Sequence, residues 1–360
     1  MQIRGGNMRY KTKTFQLIEN YLKTCCDKCF RAHDVYDYIV ANEMKVNMLS
    51  RVADGMFWLN RYMERTDGIL LTLNTFYILS FDKELVDSQG YKPLLEYYTD
   101  LSQKQISDAQ FDTNFVLKYI VCSNQNHNSV KNLVIKAREN ARGSQDKITK
   151  ELWEHINSLY HFMNAPDLPK KLETSEALGI VTKLNKDFLL YNGILEVTMP
   201  RGLGWSFSNI GKHIERCLQT ISLTQAYFAP IHYNLEGNED LLYWRRLLLS
   251  LTGYELYLKS YSNIPHNRKV VQQVIFNRDF AHSVIYTLGL IEIYLDNLFK
   301  DNHLSEARTL HNQFGRLKSA VEFTDYHNLT NQQLEDVLND TKKQLIQFST
   351  DFSKLFFSYT

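Results

Sequence analysis

Proline is the residue that most limits what this chain can fold into. Only six occur in 360 residues, Pro93, Pro166, Pro169, Pro200, Pro230 and Pro265, and they fall between periodic segments. A proline inside a helix removes a backbone hydrogen bond and clashes with the preceding turn, so long proline-free stretches leave room for long helices. In those stretches the apolar residues recur with a 3.6-residue period. Strand-like alternation joined by Asn-Gly or Asp-Gly turns is nearly absent, and Asp54-Gly55 and Asp67-Gly68 both lie within a helical pattern. The expected fold is all-α, a helical bundle.

The clearest expected helix covers about 50–80. One apolar stripe is Val52, Met56, Leu59, Met63, Thr66, Leu70, Leu73 and Tyr77, and a second is Trp58, Tyr62, Arg65, Ile69, Thr72 and Phe76. A helix that is apolar on two faces is buried between neighbours. Shifted by 151 positions, the first stripe becomes Leu203, Phe207, Ile210, Ile214, Cys217, Ile221, Thr224 and Phe228, and Arg216 stands where Arg65 stood. A second match, 116–130 with 270–284, carries an offset of 154 and pairs Val116 with Val270 and Ser129-Val130 with Ser283-Val284. Two matches in the same order point to an internal duplication. The expected organisation is one helical unit at 48–198 and a second at 199–360, sharing a core, with amphipathic segments at 145–163, 173–195, 238–260, 280–299, 303–319 and 329–357.

Each long helix carries an adjacent acid and base, Glu64-Arg65 and Glu215-Arg216. Neighbours in a helix point about 100° apart, so each side chain reaches across to another helix. If the units are related by a pseudo-two-fold, Glu64 meets Arg216 and Glu215 meets Arg65. Three readings of the pairs stand side by side. They are interhelical ion pairs that set register, or Arg65 and Arg216 line a pocket for a carboxylate or phosphate, or a glutamate does acid–base chemistry. The last runs against the tendency of a neighbouring arginine to hold a glutamate ionised. Arg138 and Arg142, flanking Glu139, and Arg61 with Arg65 are spaced one turn apart and extend the candidate anion-binding set: Arg61, Glu64, Arg65, Arg138, Glu139, Arg142, Glu215 and Arg216.

Other chemistry finds less support. Lys plus Arg number 41 against 40 Asp plus Glu, which gives no global case for nucleic acid or an anionic membrane. No segment approaches 18 uninterrupted apolar residues, no secretory signal is visible, and five cysteines fit a reducing compartment, so a cytoplasmic location is expected. Cys25, Cys26 and Cys29 include a Cys-x-x-Cys, but only His33 is close enough to help complete a zinc site. Glu151, Glu154, His155 and His161 share one helix, yet no second Glu-x-x-His exists for a di-iron bundle. Cys122 and Cys217 read as core thiols. There is no glycine-rich phosphate loop, nucleophile elbow or His-Glu-x-x-His. No cofactor and no metal is expected.

The stretch MLSRVADGMFWLNRYMERTD, beginning at Met48, resembles the start of the bacterial alpha-E domain family, helical domains with a recurrent Glu-Arg motif. IKARENARGSQDKITKELWEHINSLY (135–160), GLGWSFSNIGKHIERCLQT (202–220) and VIFNRDFAHSVIYTL (274–288) are similar to its later segments, although Ala281-His282-Ser283 stands where the family usually reads Pro-Arg-Ser. The resemblance covers about 48–350. It implies a partner of circularly permuted ATP-grasp ligases and of transglutaminase-like proteins, beside which such domains tend to be encoded. ATP-grasp ligases join a carboxylate to an amine, so the implied setting is peptide or amide-bond formation. Residues 1–47 resemble instead the opening helices of the winged-helix domain in ferric-uptake-type regulators, cut short before the recognition helix that base contacts require. The expected function is therefore a non-catalytic helical accessory or scaffold domain, with a basic inter-repeat cleft for an anionic or peptide substrate. The alternatives are an enzyme with the Glu-Arg region as its active site, and a DNA-binding regulator acting through residues 1–47.

Overall fold

The computed structural model describes residues 32–81, 90–261, 265–299 and 305–357, and for 32–49 the helical backbone alone. The first half of the chain runs through α1 (Ala32–Leu79), α2 (Lys92–Tyr98), α3 (Gln103–Ala109), α4 (Thr113–Val121), α5 (Val130–Gly143), α6 (Lys150–Met163), α7 (Leu168–Lys171) and α8 (Ala177–Thr198). The second half continues with α9 (Leu203–Phe228), α10 (Leu241–Ser250), α11 (Tyr254–Ser260), α12 (His266–Val271), α13 (Val284–Phe299), α14 (Ser305–Glu322) and α15 (Asn331–Phe357). No strand occurs among the described residues; the fold is all-α.

Local sequence sets the helix starts. Ser129, Thr149 and Asp240 each accept a hydrogen bond from the third residue of the helix that follows, at α5, α6 and α10. Ser102 and Gln105 form a reciprocal capping box at α3, satisfying donors that the first turn leaves unpaired. Pro93, Pro169 and Pro230 sit in first turns, where the missing N–H costs nothing.

Residues 47 and 48 both lie inside α1, which has neither Pro nor Gly from 32 to 54 and runs through unbroken. Residues 1–31, with Cys25, Cys26, Cys29 and most of the winged-helix-like fragment, lie outside the described residues. One of the expected segments differs in the structure. The expected single segment at 238–260 is broken into α10 and α11. Thr252 turns the chain there with φ 55°, and the Gly253 carbonyl accepts from Gln273 Nε2 at 2.7 Å.

The centre of the fold is α1 packed along α9. Val52, Met56, Leu59, Met63, Leu70 and Leu73 on one side, and Phe207, Ile210, Ile214, Cys217, Ile221 and Phe228 on the other, are all buried. Leu203, in the first turn of α9, is the exception in the shifted stripe at 46% exposure. The helices approach closely at Gly211, where an added Cβ would stand 2.4 Å from the Phe57 carbonyl oxygen; any side chain would force them apart. Around this pair, α5 lies on α1 and α13 on α9, and α2 of the first half crosses to α9 while α10 of the second crosses to α1. The last long helix of each half, α8 and α15, closes over the centre. From α15, Phe352 stacks on Phe57 at 5.5 Å and meets Phe207 edge-on at 5.9 Å, so both halves contribute to one core.

Candidate functional site

Midway along the α1–α9 crossing the apolar stripes give way to charge. Arg65 donates from Nε to Glu215 Oε1 at 2.6 Å and from Nη2 to Oε2 at 3.0 Å, a bidentate pair. Arg216 does the same to Glu64, at 2.5 and 3.1 Å. The acid of each Glu-Arg dipeptide thus holds the base of the other, the crossed arrangement expected of a pseudo-two-fold. Glu64 and Glu215 have side chains only 3% and 4% exposed. Fork-to-fork geometry fixes both the register and the rotation of one helix against the other.

Each crossed pair recruits a second cation one turn earlier. Arg61 donates to Glu215 Oε2 at 3.0 Å and from Nη1 to Ser349 Oγ on α15 at 2.9 Å. Its counterpart under the 151-residue shift is Lys212, which donates to Asn192 Oδ1 on α8 at 2.7 Å. Arg65 completes its set with Asn128 Oδ1 at 3.3 Å, just before α5. Thr220 reaches the equivalent turn before α13 by donating to the His282 carbonyl.

The electrostatics separate the two faces. Burial alone would raise the Glu215 carboxyl, but Arg65 and Arg61 overcome it and hold Glu215 below the usual carboxylate range. Burial would likewise lower Arg65, and Glu215 outweighs it, keeping the guanidinium charged. Asp67 behaves in the opposite way. It lies one turn beyond Glu64, is 7% exposed, and is pushed up to about 7 by burial and by the Glu64 carboxylate, against the pull of Arg216 and Lys212. His213, buried, and His282, half-buried, lie near Arg216 and Lys212 and are held well below the ordinary histidine value by desolvation and by those cations, so both stay neutral. Burial lifts the Cys217 thiol to about 12, which leaves no reactive thiolate there.

The expected anion-binding set does not assemble as a whole. Arg61, Glu64, Arg65, Glu215 and Arg216 share the crossing, but Arg138 and Arg142 do not join them. Arg138 turns toward α6, donating to Asn157 Oδ1 at 2.7 Å and covering the Tyr160 ring at 4.3 Å. Arg142 is 68% exposed beside Glu139. The reason is the packing of α5: its apolar residues Leu133, Val134, Ala137 and Ala141 are buried, which leaves Arg138 and Arg142 on another face. Glu154 is 62% exposed, and His155 Nε2 meets the Asp187 carbonyl oxygen at 2.8 Å, so this helix gathers no ligand set. No group of three or more metal-ligating side chains occurs among the described residues, and no described helix is long and apolar enough to cross a membrane.

Asp67, Lys212, Asn192 and Ser349 belong to the cluster without having been singled out from sequence. Two of them had a signal. Lys212 is Arg61 shifted by 151 positions, and Asp67 is three residues from Glu64, on the same helix face. Asn192 and Ser349 come from the ends of distant helices and carried none.

The crossing opens on one side. A cavity of about 460 Å³ is lined by Trp58, Arg61, Leu218, Ser349, Lys354 and Phe357, among others. The Arg61 guanidinium lies 4.9 Å from the Trp58 ring centroid. A second concavity of the same volume, bounded by Phe162, Asp167, Lys171, Ile180 and Lys183, lies elsewhere; its lysines are paired locally, Lys171 with Asp167 and Lys183 with Asp187. At the cavity beside Arg61 the arginine instead shares its carboxylate, Glu215, with Arg65.

A sequence comparison settles the family. A family model named Alpha-E, described as "a predicted alpha-helical domain with a conserved ER motif", matches residues 48–357. The chain belongs to the Alpha-E family. No curated protein and no solved structure matches it. In this Alpha-E protein the two Glu-Arg dipeptides lie on α1 and α9 and interlock across the centre of the fold.

Proposed function

We propose that this Alpha-E protein is a non-catalytic accessory domain that binds an anionic group in the cavity beside Arg61 and acts with an ATP-grasp-type ligase in peptide or amide-bond formation. The observation that carries the binding part is a charge imbalance: Arg61 and Arg65 share a single carboxylate, Glu215. Two cations over one anion leave one positive charge next to an open cavity, and a desolvated guanidinium seeks a counter-ion. The non-catalytic part is supported by the way the crossing holds its groups. Glu215 is ionised and bidentate, His213 and His282 are neutral, and Cys217 is sealed. The ligase partnership, and with it any transglutaminase-like partner, is supported by the family resemblance. We read the two halves as copies of one helical unit, since the same chemical roles recur at 61 and 212, 64 and 215, and 65 and 216.

The test is capture and output together. Tagged protein purified under native conditions from its own host is expected to bring an ATP-grasp-type ligase with it. Arg61→Ala is expected to lower the yield of ligated product while the ligase still co-purifies. Recovery of no ligase refutes the partnership, and turnover of an amine, a carboxylate and ATP by the isolated chain refutes the accessory role.

A further inference from the structure

The two faces of the crossing differ at one position. Under the 151-residue shift Arg61, Glu64 and Arg65 correspond to Lys212, Glu215 and Arg216, and Asp67 corresponds to Leu218. The face built on Glu64 therefore holds two cations, Lys212 and Arg216, and two carboxyl groups, Glu64 and Asp67. The face built on Glu215 holds two cations, Arg61 and Arg65, and one carboxylate; the Lys354 ammonium that also lines the cavity is balanced by the Asp351 carboxylate 3.7 Å away. Where the first face has its second carboxyl group, the other has Leu218, and Leu218 lines the open cavity.

Resting on the anion-binding part of the function above, and not on the ligase partnership, we propose that this cavity takes a carboxylate carried on an apolar body, the carboxylate filling beside Leu218 the role that Asp67 fills on the opposite face. Arg61 supplies the donors. Of the five N–H groups of a guanidinium, Arg61 gives Nε–H to Glu215 and one Nη1–H to Ser349, and its Nη2 lies 3.0 Å from the Glu215 carboxylate, which leaves at least two without these partners. Two of the neighbouring hydroxyls do not compete for the ligand's oxygens as donors. Thr350 donates to the Ile346 carbonyl and Ser353 to the Ser349 carbonyl. The apolar body has walls to match: Trp58, Leu218 and Phe357 line the same space. A volume of about 460 Å³ lies in the range of pockets that hold small organic ligands.

The charge count also selects among anions. The face lacks one negative charge, which a carboxylate restores. A phosphate, with nearly two charges, would overshoot beside the ionised Glu215. Solvent access removes the main penalty on Asp67. Burial is the largest cause of its upward shift, and a ligand in an open cavity keeps part of its hydration.

The experiment uses the full chain with three probes: 3-phenylpropionate, its uncharged amide and inorganic phosphate. Calorimetry and tryptophan fluorescence report binding. The acid is expected to bind, the amide at least 10-fold more weakly, and phosphate not to displace the acid. Leu218→Asp supplies the missing carboxyl group from the protein itself and is expected to weaken the acid at least 10-fold, with a melting temperature no lower than that of the parent. Leu218→Asn, close in shape and uncharged, keeps the acid within about 3-fold of the parent. Equal binding of acid and amide, displacement by phosphate, no binding of the acid, or unchanged binding in Leu218→Asp each overturns the proposal. Ligase capture without acid binding sinks this proposal alone, and acid binding without ligase capture sinks only the partnership.

Discussion

Glu215→Gln is the substitution that asks most of the crossing. The glutamine keeps the shape of the side chain but removes the charge that Arg61 and Arg65 share. Removing one partner of a buried ion pair costs about 3–5 kcal/mol, because the other charge stays buried. Arg65, at 26% exposure, recovers part of that from water, whereas Arg61, at 9%, recovers little; the expected loss is about 3 kcal/mol. Glu64→Gln is the matched comparison. It strands Arg216, 12% exposed, but Asp67 stands one turn away. The Asp67 carboxylate, already mostly ionised at pH 8 and now relieved of the Glu64 carboxylate that helps to raise it, stays as a counter-charge to Arg216. The expected cost is about 1.5 kcal/mol, half that of Glu215→Gln. Urea unfolding at pH 8, followed by circular dichroism and by tryptophan fluorescence, measures both through shifts in midpoint at constant slope, provided the two probes coincide. The double variant Glu64→Gln/Asp67→Asn should then cost more than its single substitutions summed. If Glu64→Gln is as costly as Glu215→Gln, or if Glu215→Gln costs less than about 1 kcal/mol, the account of the crossing as a buried charge network is wrong.

Three further outcomes follow from the same geometry. Asp67 is raised in the fold, so the folded chain holds its proton longer than the unfolded one, and stability falls as pH rises from the ordinary carboxyl value of 3.8 to about 7. Asp67→Asn is expected to stabilise the protein at pH 8, by at most about 4 kcal/mol, and to leave stability at pH 3 unchanged; denaturation across that range checks it. His213 and His282 are depressed, so their contribution is complete above the unfolded histidine value of 6.5 and is lost as pH falls below it, with Glu215 adding a further loss below the ordinary carboxylate range. A variant carrying His213→Asn should lose stability less steeply between pH 6.5 and 5 than the parent, and an identical slope would contradict this. Gly211→Ala places a methyl group 2.4 Å from the Phe57 carbonyl oxygen and is expected to cost about 1–3 kcal/mol, visible as a lower melting temperature.

The helices and the crossed pairs were legible in sequence because both are periodic. An amphipathic helix repeats its apolar residues every turn, so Val52 through Tyr77 announced a buried helix without reference to anything distant. A recurrence at a shift of 151 carried the match to α9. Neighbours on a helix cannot face each other, and the swap of Glu64 with Arg216 and of Glu215 with Arg65 was then what a pseudo-two-fold would produce. Arg138 and Arg142 show where this reasoning stops. Their spacing was the same as that of Arg61 and Arg65, yet which face of α5 meets α1 was decided by the burial of Leu133, Val134, Ala137 and Ala141, and that turned Arg138 toward α6 and left Arg142 exposed.

What the sequence determined by itself was local and repetitive: helix class, and the presence of two long helices that each carry an adjacent acid and base. The tertiary structure alone decided which groups are desolvated together. Ser349 lies 288 positions from Arg61, and Asn192 reaches Lys212 from another helix; no periodicity links them. The difference between Asp67 and Leu218 is visible in the sequence as a single mismatch. It acquires meaning only when one position proves sealed against Lys212 and Arg216 and the other opens onto a cavity, because the free energy of a charge depends on the water and counter-charges around it and not on its place in the chain.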